Sequence, residues 1–160
     1  MNKNQLIQQL RLEAHIEGGY FRRTYQSKQS LSTPTGDRKL LSSIFYLLTD
    51  NRPMGHLHKN HADIIHYFHC GSAIRYTILH PNGQLETIIL GHNLEQGQQL
   101  QLLVKGGCWK ASELIEGEYG LISEAVCPEF HYEDRQLADL AMIKAQFPQY
   151  FPQLQHLILL

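Results

Sequence analysis

Between residues 15 and 127 the apolar positions come in short bursts, many of them alternating with polar ones and cut by glycine, proline or asparagine. That pattern predicts eight or nine short strands: YFRRTYQ near residue 20, LLSSIFYLLT over 40–49, DIIHYFHC over 63–70, SAIRYTILH over 72–80, QLETIILG over 84–91, then QLLVK, CWKASELI and YGLISEAVC over 119–127. Pro81-Asn82-Gly83 between two alternating segments reads as a hairpin turn. Residues 28–38, KQSLSTPTGDR, are polar and rich in turn formers, which predicts a surface loop. The ends differ from the middle. Residues 3–13 predict a short helix with Leu6, Ile7 and Leu10 on one stripe, and 135–147 predict another around Leu137, Leu140, Ala141 and Ile143. The last stretch, FPQYFPQLQHLILL, is too apolar to hang in water and is expected to pack on the barrel or on a second subunit. Many short strands with helical additions predict an all-β sandwich or barrel.

Composition narrows this picture. A chain of 160 residues is most simply one domain, here 1–160 with its core over about 15–135. A net charge of −1 leaves no basic footprint for nucleic acid. No apolar run is long enough to span a bilayer, and the start MNKNQLIQQLRLE has no apolar signal core, so a cytoplasmic protein is the expectation. Cys70, Cys108 and Cys127 are scattered, with no C-x-x-C pair, and read as small core residues; Cys108, beside Trp109 and Lys110, is the one candidate thiol.

The chemistry concentrates in PMGHLHKNHADIIHYFHCG, residues 53–71, which holds five of the ten histidines. His56 and His58 are two apart, so a regular strand would present both imidazoles on one face. Asp63 follows. Two histidines and a carboxylate can hold a divalent metal such as iron, manganese, zinc or nickel; the same set suits a histidine base oriented by an acid. On the next strand Asp63, Ile65, Tyr67 and His69 share one face, and Ile64, His66 and Phe68 the other, so only one of His66 and His69 can face inward. Arg22 and Arg23 could hold an anion, one of them at most pointing inward.

These residues also carry a family likeness. Gly55, His56, His58, Asp63 and Gly71 resemble the first motif of the cupin superfamily. H-x-E-G-G-Y-F-R at His15 to Arg22, SSIFYLLT, HPNGQLETIILG, LVKGGCWKASE and YGLISEAVCPEFHYED are similar to the type-5 cupins, in the same order, over about 15–135. The likeness implies a double-stranded β-helix, or jelly-roll, like that of dTDP-4-dehydrorhamnose 3,5-epimerase, and a homodimer. It implies a site inside the barrel for a small polar or anionic carbohydrate-like ligand, with His56 as base. Tyr76 is the candidate acid, with Tyr67 its rival; Arg22, Tyr67, His66 and Trp109 are the candidate ligand contacts, and Arg75 and Lys110 weaker ones. His56, His58 and Asp63 are the candidate metal ligands. Two departures bear on the metal: the usual motif glutamate is Asp63, and the second-motif region, Lys105 to Trp109, has no histidine. Epimerase or isomerase chemistry leads, with a metal-dependent oxygenase and a non-catalytic metabolite-binding protein as alternatives.

Overall fold

A computed structural model describes residues 1–160. Helix α1 (Lys3–Leu10) starts at Asn2, whose side chain accepts from Gln5 N while Gln5 caps Asn2 N in return. It stops three residues short of the expected end because Arg11 turns left-handed, at φ 53°. The strands that follow are β1 (Glu13–Ala14), β2 (Tyr20–Gln26), β3 (Ser30–Thr33), β4 (Gly36–Lys39), β5 (Ser42–Thr49), β6 (Met54–Asn60) and β7 (Asp63–Gly71). Then come β8 (Ile74–Leu79), β9 (Leu85–Leu90), β10 (Gln101–Val104), β11 (Trp109–Leu114), β12 (Tyr119–Cys127) and β13 (Arg135–Leu137), and the helices α2 (Leu140–Gln146) and α3 (Phe151–Leu154).

A six-stranded sheet in the order β1-β2-β5-β12-β7-β10 faces a five-stranded sheet in the order β13-β6-β11-β8-β9, the expected jelly-roll. Between them Leu48, Phe68, Ile74, Ile78, Leu90, Leu102 and Ile122 are packed with little or no exposure and fill one end of the interior. The outer faces are covered separately. Leu6 and Leu12 lie against Leu47 and Leu121 of the large sheet. Ile143, Leu154, Leu157 and Ile158 lie against Leu57, Leu79 and Trp109 of the small one. The apolar tail therefore packs on the barrel of its own chain.

Two elements depart from expectation. The polar stretch 28–38 is not all loop: β3 and β4 pair around Pro34, closed by Ser32 Oγ to Asp37 and Thr33 Oγ1 to the Gly36 carbonyl. Its strand signal is hidden because neither face is apolar. Residues 135–137 pair with β6 instead of opening a helix, and α2 starts only where Asp139 caps Met142 N at 2.8 Å. No helix is long and apolar enough to cross a membrane.

Candidate functional site

The end of the barrel not filled by aliphatic groups holds a cleft of about 720 Å³, counting its open mouth. Both sheets supply its walls. Phe21, Ile44, Tyr46, Ile64, Glu124 and Val126 come from the large sheet; His58, Asn60, Tyr76, Lys110 and Ser112 come from the small one. His15 and Glu17 enter from the turn before β2, and Arg23 and Tyr132 lie exposed at the rim.

The two motif histidines do not share a face. Lys110 of β11 pairs with His58, but Ser112, two residues on, pairs with Gly55, three residues back along β6. The extra residue is a β-bulge at His56–Leu57, and a bulge breaks the period of two. His58 consequently lines the cleft, while His56 is directed to the tail, with Nδ1 3.3 Å from the Leu157 carbonyl. His58 donates from Nδ1 to the His56 carbonyl at 2.7 Å, so its Nε2 is left as the acceptor, 3.6 Å from Glu17 Oε2. Burial, partly offset by Glu17, lowers the His58 pKa and keeps the ring neutral.

Glu17 is the centre of one polar cluster. Arg135 donates to its Oε1 at 2.7 Å, and His15 Nδ1 lies 3.7 Å from its Oε2 while accepting from the Glu17 backbone N–H at 3.1 Å. Gly18 and Gly19, both at positive φ, make the tight bend that carries Glu17 inward, and Tyr46 Oη fixes it by donating to the Gly18 carbonyl at 2.9 Å.

A second cluster crosses between the sheets. His66 and Glu124 are direct cross-strand partners, with His66 Nδ1 3.2 Å from Glu124 Oε1. From the opposite sheet, Lys110 Nζ reaches to 3.0 Å from His66 Nε2 and 3.8 Å from Glu124 Oε1, and Tyr76 Oη lies 3.2 Å from His66 Nδ1. Burial and the neighbouring Lys110 push the His66 pKa down to about 4, so the ring is neutral at pH 7. Burial pushes the Glu124 carboxyl up, but Lys110, with His66 and His58, outweighs it and holds the group well below the usual carboxylate range. With the rings neutral, Lys110 is the cation that does this. Burial in turn lowers the Lys110 pKa, against the pull of Glu124 and Glu17. The phenols of Tyr46 and Tyr76 are raised by burial and stay protonated. Two buried side-chain polar atoms have no partner in the protein, Arg22 Nε and the Asn60 side-chain carbonyl, and of these Asn60 is the one that lines the cleft.

The other sequence candidates fall in different places. His66 is the inward one of its pair, with no exposure, whereas His69 lies outside against Phe45. Tyr76 lines the cleft; Tyr67 faces out at 36% exposure, because the same alternation that buries His66 and Phe68 turns it away. Arg22 is replaced at the cleft by Arg23: Phe21 points inward, so Arg23 follows it and Arg22 lies over Phe45 on the other face. Trp109 packs under the tail with Lys59 4.7 Å over its ring, since its neighbours Lys110 and Ser112 take the inner positions. Arg75 faces Glu113 at 40% exposure. Cys108 is buried near His80, and burial pushes its thiol up, away from the reactive form.

The proposed metal triad is likewise not gathered. His56 is turned away by the bulge, and Asp63 is exposed and accepts from Gly106 N at 2.8 Å. No group of three or more His, Cys, Asp and Glu side chains is placed to hold an ion. The donors present do not fit a metal at the first-motif positions, and the positive charge inside the barrel is the Lys110 ammonium. Of the polar residues that build the site, His15, Glu17, Tyr46, Asn60, Ser112 and Glu124 are not among the sequence candidates. Glu17 sits inside the H-x-E-G-G segment, where the two glycines signal a bend but not its direction; Glu124 is one acid in an apolar strand, and that oddity is its only signal.

Comparison with known proteins agrees with the fold. The family described as Cupin superfamily (DUF985) matches residues 4–138. An uncharacterized protein of Saccharomyces cerevisiae is 36% identical over 145 residues, covering 81% of this chain and 72% of its own. A solved structure from Shewanella oneidensis superimposes with a TM-score of 0.91 at 33% identity, covering 99% of this chain and 98% of that one. A hypothetical protein from Leishmania major gives 0.92 at 24% identity, covering 99% of both chains. Oxalate decarboxylase from Bacillus subtilis shares the fold alone, with a TM-score of 0.57 at 16% identity over 90% of this chain and 36% of its own.

Proposed function

The chain belongs to the type-5 cupins of the cupin superfamily, and on that footing we propose that it is an isomerase or epimerase acting on a small, polar, anionic, carbohydrate-like carbonyl compound bound inside the barrel. The observation that carries the reading is His58: a neutral imidazole whose Nδ1 is tied to a backbone carbonyl, so that its free Nε2 serves the cleft as a base. Taking a proton from the carbon beside a carbonyl turns His58 into an imidazolium, and Glu17 Oε2, 3.6 Å from Nε2, stabilises that charge. Lys110 and Tyr76, both in the wall of the cleft, are donors for the oxygen on which negative charge develops. Two further features support a polyhydroxylated anion as ligand. The unpartnered Asn60 carbonyl calls for a hydroxyl donor, and Arg23 at the rim offers a bidentate anion contact.

The test is deuterium exchange. In heavy water the protein should introduce deuterium next to the carbonyl of a keto-sugar nucleotide, screened as a panel. His58→Asn should slow this by about a hundredfold or more while still binding the ligand, and His56→Asn should leave it near the starting rate. Binding across the panel with no exchange would turn the reading to a metabolite-binding protein without turnover.

A further inference from the structure

Of the seven lysines Lys110 alone is buried, and it lies in the wall of the cleft. Its Nζ is 3.0 Å from His66 Nε2, and the other nitrogen of that ring is 3.2 Å from Glu124 Oε1. An ammonium can only donate, so Nε2 accepts from Lys110 and the proton of the neutral ring is on Nδ1. Amine, imidazole and carboxylate are in mutual contact, with Nζ also 3.8 Å from Glu124 Oε1, and the imidazole lies where it can take a proton from the amine, as a base does beside its nucleophile in covalent catalysis. Tyr76 Oη packs at 3.2 Å from the same Nδ1 and Glu124 is fixed in register opposite His66, so the ring has no freedom to turn away. Simple neutralisation of Glu124 would call for the ammonium to seat on the carboxylate, yet Nζ is nearer the imidazole, 3.0 against 3.8 Å.

We infer that Lys110 is an amine nucleophile that condenses with the carbonyl carbon of the ligand to form an imine, with His66 as proton relay and Glu124 as the group that orients it. The ammonium gives one proton to His66 Nε2, and the freed lone pair forms the C–N bond as the carbonyl π pair moves to oxygen. A second proton passes from nitrogen to that oxygen. The carbinolamine hydroxyl then leaves as water, taking back the proton held by His66, and the nitrogen lone pair closes the C=N bond. The sum is R₂C=O plus Lys–NH₃⁺ giving R₂C=NH⁺–Lys plus water, with no oxidant or reductant. Burial, which lowers the pKa of this amine, makes its first step easier. The inference rests on the carbonyl ligand proposed above, and the iminium it forms would acidify the same C–H that His58 faces.

Reductive trapping tests it. The full-length protein is incubated at pH 7 with dihydroxyacetone phosphate and cyanoborohydride, and the adducts are located by peptide mass mapping. One adduct per chain is expected, at Lys110, formed roughly tenfold faster than at any other lysine; His66→Asn should slow it by about tenfold or more, and Lys110→Met should remove it. Adducts spread over Lys28, Lys105 and Lys144, which are exposed, with Lys110 unmodified, would overturn the inference on the wild-type protein alone, whatever the variants do. Deuterium exchange without trapping would also overturn it and leave the isomerase reading intact, whereas trapping without exchange would support Lys110 and sink the proton transfer at His58.

Discussion

Residue by residue, the site is a set of charges that water would otherwise solvate, each made tolerable by a neighbour. His66 has no exposure at all, and it faces Lys110 of β11, Glu124 of β12, Tyr76 of β8 and, at longer range, His58 of β6. With a folded pKa near 4 against 6.5 when free, the unfolded chain binds a proton on this ring between those values that the folded chain refuses. Its contribution to stability is therefore complete above pH 6.5 and falls as the pH drops toward 4, by up to about 3 kcal/mol. His15 and His58, also lowered by burial, act in the same direction. Glu124 works in a lower window: its carboxyl is held down, so what it contributes is present above the ordinary glutamate pKa and lost on further acidification. We expect the urea midpoint to fall between pH 7 and 4.5, and His66→Gln to flatten that fall. Parallel profiles for the two proteins would show that His66 does not set it. Little of this was legible beforehand. His66 and Tyr76 are among the sequence candidates, although alternation leaves His66 and His69 open; Glu124, the partner of His66, and Glu17, the partner of His58, lie far away in the chain, and single acids carry no spacing signal.

Among the elements, β6 decides which chemistry faces inward, and it does so by an irregularity. A strict period of two would aim His56 and His58 together; one extra residue at His56–Leu57 sends Leu57 and His56 to the tail side and keeps His58 and Asn60 at the cleft. Strand existence was legible because apolar alternation is local, and YGLISEAVC matches β12 end to end. The bulge was not, because it is set by how β11 pairs on both sides, with β6 and with β8. The bend before β2 is the second deciding element. Gly18 has φ +103°, and a Cβ there would come within 1.9 Å of the Met54 carbonyl oxygen. Gly18→Ala should therefore cost more than the roughly 1–3 kcal/mol of the backbone strain alone, and it should loosen both the Glu17 carbonyl bond to His56 N and Glu17 itself. Paired urea melts and ligand titrations check this: a variant with unchanged midpoint and affinity would mean that the bend relaxes without cost.

For the molecule as a whole, the cleft depends on what is packed behind it. The small sheet has two faces in use: β6 and β11 turn His58, Asn60, Lys110 and Ser112 to the cleft, and Leu57 and Trp109 to the tail. Ile143 and Leu154 are fully buried and Leu157 nearly so, all against that outer face. Removing the tail would expose Leu57, Leu79 and Trp109 together, the kind of contiguous apolar patch that drives association. Leu154→Ala leaves the chain complete but opens a cavity at this interface, and should lower stability by about 2–5 kcal/mol. Because the same sheet carries the walls of the site, the loss should reach the ligand as well: Leu154→Ala should weaken binding although it touches nothing in the cleft. Deleting Leu160, which is 97% exposed, should change neither quantity. The decisive measurement sets melting against ligand affinity in the two variants. If Leu154→Ala melts early yet binds as tightly as the wild type, the tail stabilises the barrel without shaping its interior; if both fall together, the outer and inner faces of the small sheet act as one body, and the tail belongs to the architecture of the site.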